Sequence, residues 1–136
     1  MNPLELPLGR VGLVGPPQCG ALFVARAIVA ANPDAKIVLK DFSTRPTVAN
    51  RAELLALTCK EGEALLIVLH SGASGREVPD PALFDELWRI KPGWAPFRDD
   101  RMRSDLDGSE VELLRPGHEP IMLRSDVSLK FEVHHD

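Results

Sequence analysis

The chain has 136 residues, 44% of them hydrophobic and 26% charged, which is enough to bury one core without disulfides or metal. Sixteen basic against twenty acidic residues leave a net charge of −4, and Tyr is absent, so a broad nucleic-acid surface is not expected. No apolar run reaches the roughly 18 residues of a membrane helix, residues 1–9 carry no signal-peptide pattern, and Cys19 and Cys59 form no CxxC pair; the expectation is a cytoplasmic protein with reduced thiols and no membrane partner.

Leu8 to Val14 reads as a short strand with glycine interruptions. The loop Gly15-Pro16-Pro17-Gln18-Cys19-Gly20 follows, and its paired prolines bar it from a helix interior. Ala21 to Ala31 is expected to be helical, stopped by Asn32-Pro33. Arg26 is its single polar residue, so this helix is buried on several sides or offers an apolar face to a partner. Lys36 to Phe42 alternates as a half-buried strand, and Ser43 to Val48 reads as a turn leading to a short strand weakened by Pro46. Asn50 and Glu53 have capping-box spacing at the start of a helix from Arg51 to Lys60, which is expected to bury Leu54, Leu55, Leu57 and Cys59.

Ala64 to His70 is the most apolar strand and is expected near the sheet centre. Asp80-Pro81 suits a helix start, with Leu83, Phe84, Leu87 and Ile90 facing inward. Lys91-Pro92-Gly93-Trp94 marks a boundary, with Trp94, Pro96 and Phe97 as anchors and the charged stretch Asp99 to Gly108 as a solvated loop. Beyond it, Glu110 to Leu114, Pro120 to Leu123 and Ser128 to Val133 read as a β-meander, with Leu129, Phe131 and Val133 on one face. The expected class is α+β: a β-α-β-β-α-β-α open-faced sandwich over residues 1–90, with helices on one face of a mainly antiparallel sheet, and a linker and meander over 91–136.

Over about residues 8–90, Gly12-Leu13-Val14-Gly15-Pro16-Pro17, Asp34 to Leu39, and Asn50 to Lys60 with Glu61-Gly62-Glu63 and Leu65 to Leu69 resemble the histidine-containing phosphocarrier HPr of the bacterial sugar phosphotransferase system. On that resemblance the family's phosphorylated histidine falls on Val14 or near Pro16, its loop arginine on Pro16 or Gln18, and its regulatory serine on Asn50. None of these side chains can do the family's chemistry. The resemblance therefore implies a scaffold that keeps a protein-docking face on the two helices, with Leu22, Phe23, Arg26 and Val29 beside Arg51, Leu54 and Leu55 as contact residues.

Four further constellations are candidates for chemistry. Gly15 to Gly20 has the GxxxxG spacing of a phosphate loop, yet Ala21-Leu22 stands where Lys and Ser or Thr are needed, and two prolines lack N–H donors. The loop reads first as a glycine- and proline-shaped tight turn; the alternative is a weak anion seat at the N–H groups of Gly20, Ala21 and Leu22. Cys19 at that helix start reads first as a small gap-filling side chain; the alternative is a nucleophile or phosphoryl acceptor if the dipole lowers its pKa. His70-Ser71 reads first as a strand-end histidine bonded to backbone, and His118 with His134, His135 and Asp136 does not make a convincing metal set. No cofactor is implied. The expected function is non-catalytic protein–protein interaction, as a regulatory adaptor or a self-assembling module; a diverged phosphotransfer component using Cys19 and a structural subunit of a larger assembly are the alternatives.

Overall fold

A computed structural model describes residues 2–16, 19–45, 47–72, 77, 79–92, 110–125 and 131–133. The strands are β1 (Gly9–Gly15), β2 (Ile37–Asp41), β3 (Ala64–His70), β4 (Glu86–Pro92), β5 (Glu110–Leu114), β6 (Ile121–Ser125) and β7 (Phe131–Val133). The helices are α1 (Ala21–Ala30) and α2 (Arg51–Ala56), with a 3-10 turn at Pro81–Leu83. The class is α+β, as expected, with all seven strands in one sheet ordered β2-β3-β1-β4-β5-β6-β7.

The pairing departs from a mainly antiparallel sandwich. β2, β3, β1 and β4 run parallel, and only β4 through β7 are antiparallel. The parallel half reflects composition, since β3 is buried at every position from Ala64 to His70 and therefore needs cover on both faces. Two other expectations give way. The described residues among 43–48 form no strand, and the inward-facing helix placed after Asp80 is the 3-10 turn followed by β4. Asp80 does cap that turn, accepting from Ala82 N–H at 3.0 Å. After Phe84 the alternation of Trp88 and Ile90 with Arg89 and Lys91 prevails over the helical spacing, and Trp88 is fully buried. β4 also runs through the boundary placed at residue 91, so the segments on either side of it share one sheet. Trp94, Pro96, Phe97, the stretch Asp99–Gly108, Ser128, Leu129 and His134–Asp136 lie outside the described residues.

The two helices cover opposite faces. Val24, Ala25 and Ile28 of α1 meet Val11, Leu13, Leu66, Val68 and Trp88, and this core continues through Val111, Leu113, Ile121 and Leu123. Leu54 of α2 packs with Val14, Leu65, Ile67, Leu69, Leu83 and Phe84 on the other side. The single helix-bearing face of the expected sandwich is thereby corrected: alternation along buried parallel strands gives each face its own apolar set.

α1 packs against β1, β3 and also β7. From β3 to β7 is five steps along the sheet, about 24 Å if flat, against a helix only about 10–12 Å across. The sheet therefore curls around α1. That enclosure explains the helix's composition: the helix is buried on several sides. The N-terminal segment closes the end of the trough, with Leu4 and Leu6 buried. Asn32 holds it there, its Nδ2 donating to Leu4 O at 2.8 Å and Ile28 O at 2.7 Å while its Oδ1 accepts from Leu6 N–H at 3.0 Å.

Candidate functional site: the crevice at the carboxyl ends of the parallel strands

In a parallel sheet the crevice forms where the connections leaving neighbouring strands part company. Here β1 lies between β3 and β4, so that point is the carboxyl end of β1, where Gly15 is in register with His70. A cavity of about 400 Å³ opens there. The β1–α1 loop and first helical turn supply Pro16, Cys19, Gly20, Ala21, Leu22 and Phe23; the segment after β2 supplies Ser43, Thr44 and Arg45; His70 closes it from β3. Pro17 and Gln18 lie outside the described residues.

Gly20 makes the sharp entry into α1. Its φ of 82° is left-handed, which a residue with a Cβ adopts only at a cost, and no side chain caps the helix. Gly15 matters for space, because a Cβ there would sit 2.6 Å from Cys19 Sγ and 3.0 Å from Ile90 Cβ. The loop thus turns its cysteine back into the end of β1.

That turn decides the chemistry of Cys19. The thiol is 1% exposed, and burial pushes its pKa from 9.0 up to about 12, outweighing the neighbouring N–H groups of Ala21 and Cys19 that favour thiolate. The nucleophile alternative finds no support in this environment: the helix start is close by, but desolvation wins over it. The gap-filling reading is the one realised. The same geometry weakens the anion seat at Gly20, Ala21 and Leu22, since the Ala21 N–H is turned toward the cysteine sulfur. Arg45, the cation lining the crevice, is committed as well. Its guanidinium pairs with Glu53, which is held below the usual carboxylate range by that hydrogen bond first and by the Asn50 N–H second, and it lies 5.2 Å from the Phe42 ring.

His70 is bonded to backbone at both ends, as expected. Nδ1 accepts from Gly72 N–H at 3.2 Å, and Nε2 faces Thr47 O at 3.2 Å. A carbonyl only accepts, so Nε2 carries the proton and neither nitrogen is left to serve as a base for Ser71. Ser71 Oγ is buried without a hydrogen-bond partner among the described residues. Among the described residues no three of His, Cys, Asp or Glu are grouped to hold a metal, and His118 sits exposed in the β5–β6 turn.

The contact residues named from sequence do not form one surface. Phe23 and Val29 pack against the core inside the curled sheet, Leu22 is half-buried, and Arg26 is exposed. Across the sheet, Leu54 is 1% exposed and so is core, whereas Leu55 is 55% exposed beside exposed Arg51. The Leu55 burial expected from its helix is corrected: α2 ends at Ala56 and turns only its Leu54 face inward.

Sequence reasoning missed Arg10. Its guanidinium leaves β1 on the α2 face and donates to Leu83 O at 3.0 Å, Leu57 O at 2.6 Å and Leu54 O at 2.5 Å, tying the helix end and the 3-10 turn to the strand. An arginine inside an otherwise apolar strand was the available signal. A second missed cluster joins Trp88 Nε1 to Glu86 at 2.8 Å, with Arg115 donating to the same carboxylate at 3.1 Å and stacking 4.5 Å from the Trp88 ring.

No helix among the described residues is long and apolar enough to cross a membrane. No protein-family model, curated protein or solved structure matches this chain.

Proposed function

We propose that this chain is a non-catalytic binding domain that works through protein–protein contact, either regulating a partner or assembling with itself. The observation that carries the reading is the state of the crevice. It occupies the position in which parallel α/β sheets hold phosphate-bearing ligands, and its β1–α1 loop has glycines at the GxxxxG spacing. Each group that phosphate chemistry would call on is missing or spoken for. Ala21 and Leu22 replace the lysine and hydroxyl residue, the Cys19 thiol stays protonated, Arg45 is paired with Glu53, and β3 ends in a histidine bonded to main chain rather than in a magnesium-binding carboxylate. The proposal rests on these residues and does not require the HPr resemblance.

Binding and turnover measurements test it. Titration calorimetry with ATP–magnesium and with inorganic phosphate is expected to show no saturable heat. Incubation with acetyl phosphate, read by intact mass, is expected to leave the chain unmodified. A phosphoryl adduct abolished by Cys19→Ser, or micromolar binding of nucleotide, would overturn the reading in favour of a phosphotransfer component.

A further inference from the structure

We propose that the free edge of β2 is a homodimer interface, in which β2 pairs antiparallel with β2 of a second copy across a two-fold axis at Leu39. This rests on the protein-contact reading above and names the partner.

The direction of the backbone groups comes first. Lys36 O accepts from Ala64 N–H at 2.9 Å, and Phe42 N–H donates to Val68 O at 2.8 Å, so the even-numbered residues of this stretch bond inward to β3. By the alternation of a strand, Ile37, Leu39 and Asp41 direct their N–H and C=O groups away from the sheet. β2 is the terminal strand, and no other described strand pairs with that side. Such an edge is a template for another strand.

The sequence of the edge selects the occupant. A two-fold axis at Leu39 sets Ile37 opposite Asp41 of the other copy and Leu39 opposite its own counterpart. All three outward-facing residues then form hydrogen-bonded pairs, and Leu39, 36% exposed in the single chain, is covered by another leucine. In the same register Lys40 faces Val38 and Lys36 faces Phe42. Sliding by two residues in one direction sets Lys40 against Lys40, and in the other sets Lys36 against Lys40, so like charges disfavour both alternatives. The strand is self-complementary in one register. An interface built on so short a strand is smaller than the roughly 1,200–2,000 Å² of stable complexes, so the association is weak and concentration-dependent.

Two variants test the proposal by sedimentation equilibrium and cross-linking of the full chain. Leu39→Pro removes an N–H that points outward and leaves the bonds to β3 in place, so the chain keeps its far-ultraviolet dichroism and urea midpoint while dimerisation weakens at least tenfold. Leu39→Cys in a Cys59→Ser background is expected to cross-link under mild oxidation, because directly opposed hydrogen-bonded residues have Cα atoms about 5.5 Å apart, within disulfide range. Lys40→Cys in the same background is expected not to, its diagonal counterpart lying roughly 7–8 Å away. A chain that is monomeric at all concentrations, a dimer indifferent to Leu39→Pro, or equal cross-linking of the two cysteine variants would overturn the interface. None of these results bears on the silent crevice, which the phosphate and nucleotide measurements test separately.

Discussion

Replacing Arg10 by Met is expected to be the most damaging single change outside the apolar core. The substitution keeps an aliphatic stem of similar length and removes only the guanidinium, which donates to three main-chain carbonyls: Leu54 and Leu57 at the end of α2, and Leu83 in the 3-10 turn. A hydrogen bond from a charged donor contributes about 1.5–3 kcal/mol net, and the three share one part-buried side chain, so they do not sum; a loss of about 3–5 kcal/mol is expected. Part of that is the cost of leaving acceptors at a helix end without a donor, where positive charge also complements the helix dipole. A domain of this kind has about 5–15 kcal/mol in total, so the variant stays folded but marginal. With a urea slope of about 2 kcal/mol/M the midpoint falls by about 1.5–2.5 M. Arg10→Lys is expected to fall between, since a point charge on a flexible stem cannot reach three carbonyls as a planar fork does. If Arg10→Met costs less than about 1 kcal/mol with an unchanged slope, the guanidinium does not anchor α2 and the reasoning fails.

The other predictions concern the crevice and the cap of α2. Because burial raises the Cys19 pKa to about 12 from 9.0, the folded chain holds a proton that the unfolded chain releases, so stability should fall as pH rises from about 9 to 12, and Cys19→Ala should flatten that limb in urea titrations. Native Cys19 should also react with a thiol reagent only as fast as the chain opens, whereas a rate matching an exposed thiol would contradict its burial. Gly15→Ala should cost about 1–3 kcal/mol in thermal melts, as its methyl meets the Cys19 sulfur and Ile90, and Gly15→Ala combined with Cys19→Ala should recover part of the loss. Glu53 is held below its ordinary value by Arg45 and the Asn50 N–H, so its contribution is full above about pH 4.5 and is lost as pH falls through its folded pKa; Glu53→Gln should leave the neutral range modestly weaker and make the acid limb shallower.

Several features were legible because a few neighbouring residues settle them. Asn50 and Glu53 form their reciprocal cap, with Glu53 N–H donating to Asn50 Oδ1 at 2.9 Å and Asn50 N–H to the Glu53 carboxylate at 3.2 Å. Asn32-Pro33 ends α1, Ala64 to His70 is the buried strand its composition announces, though one place in from the sheet edge and not at its centre, and His70 bonds to backbone. Leu83, Phe84, Leu87 and Ile90 misled because they satisfy a helical spacing while Trp88 and Ile90 satisfy a strand. Only the neighbours available for pairing, β1 on one side and β5 on the other, choose between the two periods. The thiol at the head of α1 left two readings open for a related reason: nearness to a helix start is visible in sequence, and depth beneath Gly15 is not.

Alone, the order of residues determined the caps, the breaks, the buried strand and the loss of phosphate-handling side chains from the β1–α1 loop, since each follows from the stereochemistry of adjacent residues. Tertiary structure decided that four strands run parallel, that α1 and α2 lie on opposite faces, and that the sheet wraps α1 so that much of its apolar surface is buried internally. Those choices depend on which distant segments bury which face. Burial is a property of the assembled chain, and no window of neighbouring residues contains it.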